Sequence, residues 1–452
     1  MIKSPALLST KKNKMVNYTP LIQQDLKHVW HPCTQMKDFE QHPPLVIKRA
    51  KGSYLYTNQG PVIDAISSWW CKSLGHGHPA VLAAMKKQLS RFEHVIGANT
   101  TNPQIVALSE TLAEKSGLQH VFFASDGSSA VEIAMKLALH ASKIQGHTTR
   151  NRFMALKQSY HGETLGTLCV SDLGLYKEPY AAYQIPCHFI DPIPYVTGPS
   201  DPLWNNADLA WKAIEPQLIA AKKDVCALLI EPIVQGAGGM RCYSADFLNR
   251  LVRFAKANNI YVIADEIMTG IGRTGTFLAS EHAHIQPDMI CLSKGLTSGA
   301  MPLSAVLIDH PIYDLFYGDT TQGNAFLHSH TYSGNPLAVS AALATLHTID
   351  SEGILEQANA LGDDMKRQFT AIAEHTGKLS NIRSIGAIVA GDLAPHHSPR
   401  LGYRLQQDAL KRGALLRPLG QTLYWLPPLT TDHKTIEKLS EITLHSIMAV
   451  YS

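Results

Sequence analysis

The sequence has few charged residues, no closely paired cysteines and no long apolar run. Charged residues make up 17% of its 452 positions and the formal net charge is +3, so neither disorder nor a nucleic-acid partner is indicated. Its seven cysteines include no CxxC pair, which disfavours a disulfide framework and a zinc finger. No stretch reaches membrane-spanning length, and residues 1–15 lack the apolar segment of a signal peptide. We therefore expect a soluble cytoplasmic protein with an N-terminal extension over residues 1–24.

Histidines two positions apart occur in three places, but a third ligand is missing near each of them. The pairs are His76 with His78, His282 with His284, and His328 with His330. Because protein metal sites need three or four ligands at defined spacings, no metal centre is predicted.

Two apolar segments of strand length end next to residues with useful chemistry. Residues 261–265 end on Asp265, and residues 290–292 are followed closely by Lys294. Ligands of open α/β sheets bind outside the carboxyl ends of the strands, so we expect these two side chains to share one cleft. A lysine there could form a Schiff base, and a carboxylate could keep a heteroaromatic nitrogen protonated, as pyridoxal phosphate chemistry requires.

A strand pattern at residues 121–124 leads through a polar glycine turn into a helix pattern. Free N–H groups at the helix start and the hydroxyls of Ser128 and Ser129 would suit a phosphate. The alternative is that a serine only caps the helix. The turn has neither the GxGxxG nor the GxxxxGKS pattern, so the signal alone does not identify a nucleotide site.

Strand and helix patterns alternate over residues 100–310, which predicts a doubly wound, mostly parallel sheet. Short strands of a smaller α+β domain are predicted at residues 45–48, 54–57, 385–390, 415–420 and 422–426. The predicted parts are an N-terminal piece of the small domain (25–75), a large domain (76–338) and a C-terminal piece of the small domain (339–452).

Several further side chains are candidates for ligand binding. Trp69 and its neighbour Trp70 must point in different directions, so one could line a pocket while the other packs in the core. Tyr160 or His161, in the polar loop after a strand, could stack on a flat ring. Arg417, fixed before a proline, could bind a carboxylate through its guanidinium. Each of these side chains also has a purely structural alternative. The tryptophans could only fill the core, Tyr160 could only support the fold, and Arg417 could be an ordinary surface residue.

Taken together and in order, these features resemble the class III pyridoxal-phosphate aminotransferases of fold type I. The resemblance runs from about residue 25 to the C-terminus and includes Asp265 with Glu266, Lys294 with Gly295, and the segment 331–336. The doubled tryptophan and the segment 231–240 are most similar to the branch that acts in biotin synthesis. The resemblance implies a mostly parallel, seven-stranded central sheet with helices on both faces and a smaller α+β domain built from both chain ends.

The resemblance also implies an activity. An amino donor, S-adenosylmethionine in typical members of that branch, would leave its nitrogen on the cofactor as pyridoxamine phosphate. The nitrogen would then pass to 8-amino-7-oxononanoate to give 7,8-diaminononanoate, in a ping-pong reaction. The family further implies a homodimer with shared active sites, acting without nucleic acid or membrane.

Each matched residue has an implied role. Lys294 would hold the cofactor and move the proton, Asp265 would pair with the pyridine nitrogen, and Tyr160 would stack on the ring. The cofactor phosphate would be held by Gly127, Ser128, Ser129 and, from the neighbouring subunit, His330 and Thr331. The substrate would be bound by Tyr160 and Lys294 together with Trp69, Cys33, Glu163, Arg273, Ser329 and Arg417.

The chain departs from the usual family pattern in two places. Cys33 stands where a tyrosine is usual, and Ser329 with His330 stands where Gly-Pro is usual. Lysine or another amine is therefore an alternative donor. Two rival interpretations are another class III aminotransferase, acting on ornithine, 4-aminobutyrate or a diamine, and a non-catalytic binding protein that retains the fold.

Overall fold

The computed structural model describes residues 18–452, so most of the predicted extension 1–24 lies outside the described residues. The strands are β1 (Ile47–Lys51), β2 (Tyr54–Thr57), β3 (Gly60–Asp64), β4 (His120–Ala124), β5 (Arg152–Leu156), β6 (Cys187–Ile190), β7 (Tyr195–Val196), β8 (Val225–Ile230), β9 (Val234–Gln235), β10 (Arg241–Tyr243), β11 (Tyr261–Asp265), β12 (Met289–Leu292), β13 (Ser304–Ile308), β14 (Leu379–Ile385), β15 (Ile388–Leu393), β16 (Ala414–Leu415) and β17 (Thr422–Trp425).

The helices are α1 (Thr19–His28), α2 (Ser67–Trp70), α3 (Pro79–Leu89), α4 (Pro103–Ser116), α5 (Gly127–Ile144), α6 (Leu165–Val170), α7 (Gly174–Lys177), α8 (Asp208–Ala221), α9 (Ala245–Ala257), α10 (His310–Phe316), α11 (Pro336–Ser351), α12 (Ile354–Thr376), α13 (Leu401–Arg412) and α14 (His433–Tyr451). Short 3₁₀ turns add Met36–Glu40, Glu178–Tyr183, Pro202–Trp204, Ala279–Ala283, Lys294–Thr297 and Thr320–Gln322. Within residues 18–452, no helix combines the length and apolarity needed to cross a bilayer.

A seven-stranded sheet forms the centre of the molecule, in the order β4-β13-β12-β11-β8-β5-β6. Only β13 runs antiparallel to its neighbours in this sheet. All six residues of β8 are buried, as expected for a strand covered on both faces. The predicted fold class, a mostly parallel doubly wound sheet, is confirmed.

Helices cover both faces of this sheet because successive side chains of each strand point to opposite sides. In β8, Ala227 and Leu229 pack into a core shared with α5, whereas Leu228 and Ile230 pack into a core shared with α8 and α9. Helices α4 and α11 cover the same side as α8 and α9, over β12 and β13. The sheet is thereby held rigid, and its carboxyl edge can position side chains accurately.

Both chain ends contribute to a smaller α+β region. Strand β16 near the C-terminus pairs in parallel with β3 near the N-terminus, completing the sheet β1-β2-β3-β16. A second sheet, β14-β15-β17, lies against α12. The predicted small domain from both chain ends is confirmed, while the domain bounds 25–75, 76–338 and 339–452 stay a prediction.

Two of the predicted small-domain strands are wrong in detail. The segment 385–390 is not one strand, because the chain turns between β14 and β15 at Gly386. Gly386 has a φ of +46°, and a Cβ there would lie 2.2 Å from the backbone carbon of Thr274. Of the segment 415–420, only Leu415 belongs to a strand. Tertiary contacts, rather than the local hydrophobic pattern, therefore determine where the strands in these two segments begin and end.

Candidate active site

The ends of β11 and β12 meet at the carboxyl edge of the central sheet. The two strands are parallel neighbours, with Asp265 opposite Cys291. Asp265, at the end of β11, and Lys294, two residues beyond β12, line one cavity of about 190 Å³. Tyr160 and Gly127 line the same cavity, so three strand ends and one helix start converge on it.

Lys294 is half-buried and lies beside the ring of Trp70. Its Nζ lies 4.8 Å from the centre of the Trp70 ring. Burial lowers the pKa of Lys294, although the nearby carboxylates of Asp265 and Glu231 oppose this shift. A lysine of lowered pKa loses its proton readily, which a nucleophile or a proton carrier requires.

The carboxylate of Asp265 is fixed by two hydrogen bonds. Its Oδ2 lies 2.8 Å from Nδ1 of His161, and its Oδ1 accepts the N–H of Ile267 at 3.2 Å. His161 is itself buried, and its other ring nitrogen, Nε2, is buried without a hydrogen-bond partner within residues 18–452. Sequence reasoning weighed His161 only as an alternative to Tyr160 for stacking on a ring and did not predict its bond to Asp265.

The start of α5 presents free N–H groups to the cavity. Asp126, not a serine, caps the helix, because its carboxylate accepts the N–H of Ser129 at 3.0 Å and the hydroxyl of Ser129 at 2.8 Å. Gly127 and Ser128 line the cavity, whereas Ser129 is turned to the cap. A Cβ at Gly127 would lie 2.9 Å from the Ile267 side chain. The N–H groups and the helix dipole at this end of α5 are suited to an anion.

Tyr160 forms a wall of the cavity and is bonded at both ends. Its backbone N–H donates to Glu231 Oε1 at 2.9 Å, and its hydroxyl donates to Glu163 Oε1 at 2.9 Å. Burial, followed by the charge of Glu163, raises the pKa of Tyr160. The side chain is thus a neutral ring held in one orientation.

Glu231 is a further buried acid of the cavity that sequence reasoning left out of the site. Its second oxygen, Oε2, accepts the N–H of Gly236 at 2.9 Å. Burial raises the pKa of Glu231 to about 7. The signal in the sequence was an apolar strand that ends on an acid, the same pattern that identified Asp265.

Glu231→Gln is expected to change how stability depends on pH. A carboxyl whose pKa is raised in the folded state binds its proton more tightly there than in the unfolded state. Its contribution to the free energy of unfolding is therefore fully present below the unfolded pKa and is lost as the pH rises through about 7. From about pH 5 to about pH 8, wild-type apoprotein should lose on the order of 3 kcal/mol relative to the variant. Thermal unfolding midpoints at the two pH values measure this difference. The exposed Glu441→Gln control should show no such change, and equal pH dependence of wild type and Glu231→Gln would contradict the assignment.

The two adjacent tryptophans point apart because the backbone between them is left-handed. Residues Ser67, Ser68, Trp69 and Trp70 have φ values of 50°, 46°, 77° and 72°. Trp70 is buried, and its Nε1 donates to the hydroxyl of Tyr424 at 3.0 Å. Trp69 is 39% exposed, and the guanidinium carbon of Arg417 lies 4.4 Å from its ring centre. Trp70 therefore faces Lys294 while Trp69 faces outward.

Arg417 and Cys33 lie together beside this outer tryptophan. Nη2 of Arg417 donates to the backbone oxygen of Cys33 at 3.2 Å. Burial raises the pKa of the Cys33 thiol, and the charge of the nearby Glu163 acts in the same direction. The structure thus brings Trp69, Arg417 and Cys33 to the Tyr160 and Glu163 side of the cavity.

Other predicted residues are not brought to the cavity wall within this chain. Arg273 is 4% exposed and donates to the backbone oxygens of Ala387 and Pro427 at 3.2 and 2.7 Å. Burial lowers the pKa of Arg273 to about 9. The guanidinium therefore joins the large and small regions rather than lining the cleft.

The loop that contains Ser329, His330 and Thr331 also lies away from the cavity of its own chain. The backbone oxygen of Thr331 is bonded to Nε2 of His94 at 2.8 Å, and the hydroxyl of Ser333 accepts the N–H of His330 at 3.3 Å. The family-implied contact of this loop with the cofactor phosphate stays a prediction.

The cavity suits pyridoxal phosphate on chemical grounds. A lysine of lowered pKa, a fixed carboxylate, an aromatic wall and a helix start match the aldehyde, ring nitrogen, ring face and phosphate of this molecule. Nε2 of His161, which is buried without a hydrogen-bond partner among residues 18–452, is consistent with a bound group here.

Comparison with known proteins agrees with the geometry. The sequence matches the family model "Aminotransferase class-III" over residues 36–447. It is 37% identical over 420 residues to the adenosylmethionine-8-amino-7-oxononanoate aminotransferase of Helicobacter pylori, a match that covers 92% of this chain and 94% of the relative.

Two solved structures extend the comparison. The aminotransferase of the same description from Methanocaldococcus jannaschii has a TM-score of 0.89 at 28% identity, covering 96% of this chain and 99% of that one. An amine transaminase from an uncultivated Pseudomonas species, in its PLP-bound form, has a TM-score of 0.85 at 30% identity, covering 93% and 98%. The chain therefore belongs to the class III aminotransferases and is a pyridoxal-phosphate-dependent enzyme.

Proposed function

We propose that the protein transfers an amino group to 8-amino-7-oxononanoate, forming 7,8-diaminononanoate for biotin synthesis. The observation that carries the proposal is the arrangement of Arg417 over Trp69, on the outer side of the cavity that contains Lys294. This acceptor is a long alkyl chain with a ketone near one end and a carboxylate at the other. An indole surface followed by a guanidinium suits such a chain, and relatives named for this reaction support the assignment.

Pyridoxal phosphate, when bound, supplies the electron sink that makes the proton on the amine carbon labile. Lys294 contributes a free amine of lowered pKa that can accept this proton and return it to a neighbouring carbon. Asp265, fixed by His161, would face the ring nitrogen of the cofactor. The N–H groups of Gly127 and Ser128 would hold its phosphate, and Tyr160 would lie against its ring.

We further propose S-adenosylmethionine as the amino donor, on the strength of the names of the relatives. Lysine is the alternative, because Cys33 stands where a tyrosine is usual. One site then serves donor and acceptor in turn, so ping-pong kinetics are expected.

The test is conversion of the acceptor by the purified protein loaded with pyridoxal phosphate. We expect mass spectrometry to detect 7,8-diaminononanoate when 8-amino-7-oxononanoate and S-adenosylmethionine are both supplied. If product forms with lysine as the donor but not with S-adenosylmethionine, the proposed acceptor stands and the proposed donor is wrong. Failure with S-adenosylmethionine, lysine and other amines, while ornithine or 4-aminobutyrate is transaminated, would overturn the biotin assignment.

Arg417→Leu is expected to weaken binding of the acceptor. Loss of a charged hydrogen bond to a carboxylate corresponds to about 1.5–3 kcal/mol, so the KM for 8-amino-7-oxononanoate should rise about 10- to 100-fold. The kcat should change much less, because Arg417 lies outside the cavity that contains Lys294. Steady-state kinetics measure this split, with Arg412→Leu on the same region of the chain as the control. An unchanged KM would contradict the proposed role.

We also propose a homodimer with shared active sites in the cytoplasm. The dimer would bring the loop of Ser329, His330 and Thr331 to the phosphate of the neighbouring subunit, which would explain why this loop lies away from its own cavity. The seven cysteines all lie within residues 18–452 and are free thiols, which supports a reducing compartment. Light scattering should give twice the single-chain mass of 49.6 kDa. A single-chain mass for the active enzyme would contradict the shared site.

A further inference from the structure

Asp64 ends β3 and is buried beside the turn that carries the two adjacent tryptophans. Its Oδ1 accepts the N–H of Ser68 at 2.8 Å, and its Oδ2 accepts the hydroxyl of Ser68 at 2.6 Å. Nε2 of His76 lies 2.7 Å from the same Oδ2. Because a buried carboxylate is costly unless it is paired and hydrogen-bonded, the histidine stabilises the charge that holds the turn.

The backbone of His76 is fixed independently of this turn. Its N–H donates to the carbonyl oxygen of Gly52 at 2.8 Å, and its own carbonyl oxygen accepts the N–H of Gly52 at 2.9 Å. The chain packs closely here, since a Cβ at Gly75 would lie 2.9 Å from the same oxygen of Gly52. His76 therefore reaches Asp64 from a second, separately anchored segment of the chain.

The strand that ends on Asp64 also determines where Arg417 lies. Asp64 is paired in register with Leu415 of the parallel strand β16. Trp69 follows Asp64 after a few residues, and Arg417 follows Leu415 in the same way. The guanidinium carbon of Arg417 lies 4.4 Å from the centre of the Trp69 ring. The two segments thus leave one paired position and meet again where the cation lies over the indole.

The turn needs these bonds because its backbone is strained. Residues 67–70 all have positive φ, a conformation that residues other than glycine keep only when the surrounding structure imposes it. Trp70 has a further anchor, because its Nε1 donates to the hydroxyl of Tyr424 at 3.0 Å. Trp69 is 39% exposed, so its direction depends mainly on the backbone that carries it.

We propose that Asp64 and His76 are positioning residues for the amino acceptor, because they hold the left-handed turn that lays Trp69 against Arg417. This inference rests on the proposed function, in which Trp69 and Arg417 bind the alkyl chain and carboxylate of the acceptor. Asp64 and His76 are not among the residues that line the cavity of Lys294. Their effect on the acceptor is therefore transmitted through the turn.

Substitution of His76 separates binding from chemistry. In His76→Ala the KM for 8-amino-7-oxononanoate should rise about tenfold, while kcat stays within about threefold because Trp70 keeps its own anchor. His76→Gln can still donate an N–H to Asp64 and should restore most of the wild-type KM. The exposed His445→Ala is the matched control and should leave both constants unchanged.

A double-mutant cycle distinguishes positioning from a general loss of stability. If His76 acts through the pair of Trp69 and Arg417, His76→Ala should raise the KM about tenfold in the wild type but less than about twofold in Arg417→Leu. If His76→Ala does not fold, Ser68→Ala takes its place in the cycle, with an expected rise of about threefold. Equal KM effects in both backgrounds, or a KM that His76→Gln does not restore, would overturn the positioning role.

A binding measurement keeps the proposal testable apart from turnover. Heptanoate has the alkyl chain and carboxylate of the acceptor without its amine and ketone. Titrated calorimetrically into the pyridoxal-phosphate-loaded enzyme, it should bind to the wild type and to His445→Ala, and bind about tenfold more weakly to His76→Ala. Heptanoate that binds wild type and His76→Ala equally, or that does not bind the wild type, would overturn the positioning role while leaving acceptor conversion intact. Absence of acceptor conversion with every donor would instead overturn the proposed function, and the heptanoate titration would still decide the role of His76.

Discussion

Lys294→Ala should lower kcat by about four orders of magnitude, the largest effect that we predict. The variant loses both the amine that can attach the cofactor and the group that carries the proton at the reacting carbon. Lys294 is half-buried beside Trp70 in the cavity, and within residues 18–452 no other lysine lines that cavity to take over proton transfer. Steady-state turnover of the acceptor and single-turnover rates with the donor both measure the loss.

Lys72 provides a matched control for this substitution. It is another partly buried lysine near the site whose pKa is lowered by burial, but its Nζ donates to the backbone oxygen of Gly299 at 2.7 Å. Lys72→Met should therefore keep kcat within about tenfold. The account of the site would be wrong if Lys294→Ala kept activity within tenfold of the wild type, or if Lys72→Met lost as much as Lys294→Ala.

Asp265→Asn is the second large effect, a decrease in kcat of about 100- to 1000-fold with little change in KM. Asparagine keeps the shape of the side chain and can still accept the N–H of Ile267, but it removes the charge that stabilises a protonated ring nitrogen. It also changes the bond to Nδ1 of His161, which now faces a neutral amide. The exposed Asp363→Asn is the control.

The pattern of the loss distinguishes this role from simple disruption of the site. Asp265→Asn should still retain pyridoxal phosphate after gel filtration, because Lys294 and the phosphate site at Gly127 are unchanged. Loss of both cofactor and stability would indicate a structural role for Asp265. A kcat within tenfold of the wild type would show that the charge is not needed.

The strand ends at Asp265 and Lys294 could be predicted because local pattern and topology agree there. Both strands are fully apolar until the polar residue that follows, and parallel strands end at the same edge of a sheet. The turn before α5 was readable for the same reason, although its cap proved to be Asp126. Because local residue patterns determine these features, they could be predicted from the sequence.

The bond of His161 to Asp265 and the raised pKa of Glu231 could not be predicted, because both arise only when the folded chain buries these residues. The sequence gives no sign that the ring of His161 bonds to Asp265, or that burial raises the pKa of Glu231 to about 7. His161 lies 104 positions from Asp265 and Glu231 lies 71 positions from Tyr160, so only the folded arrangement of neighbouring strands brings these pairs together.

The left-handed turn at Trp69 and Trp70 was also beyond prediction. Four consecutive residues with side chains and positive φ are strained, and tertiary bonds must hold them. Ser67 donates to the backbone oxygen of Leu426 at 2.8 Å, and Asp64 accepts both the N–H and the hydroxyl of Ser68. Arg273, which the resemblance implied at the substrate, instead lies 3.4 Å from the Ser67 hydroxyl and supports this turn.

The most direct test of the central claim is to identify the lysine that carries the cofactor. The enzyme loaded with pyridoxal phosphate is reduced with borohydride, digested and analysed by mass spectrometry. We predict that the mass of the reduced cofactor is found on the peptide that contains Lys294. Cofactor on Lys72 or on any other lysine, with Lys294 unmodified, would contradict the account.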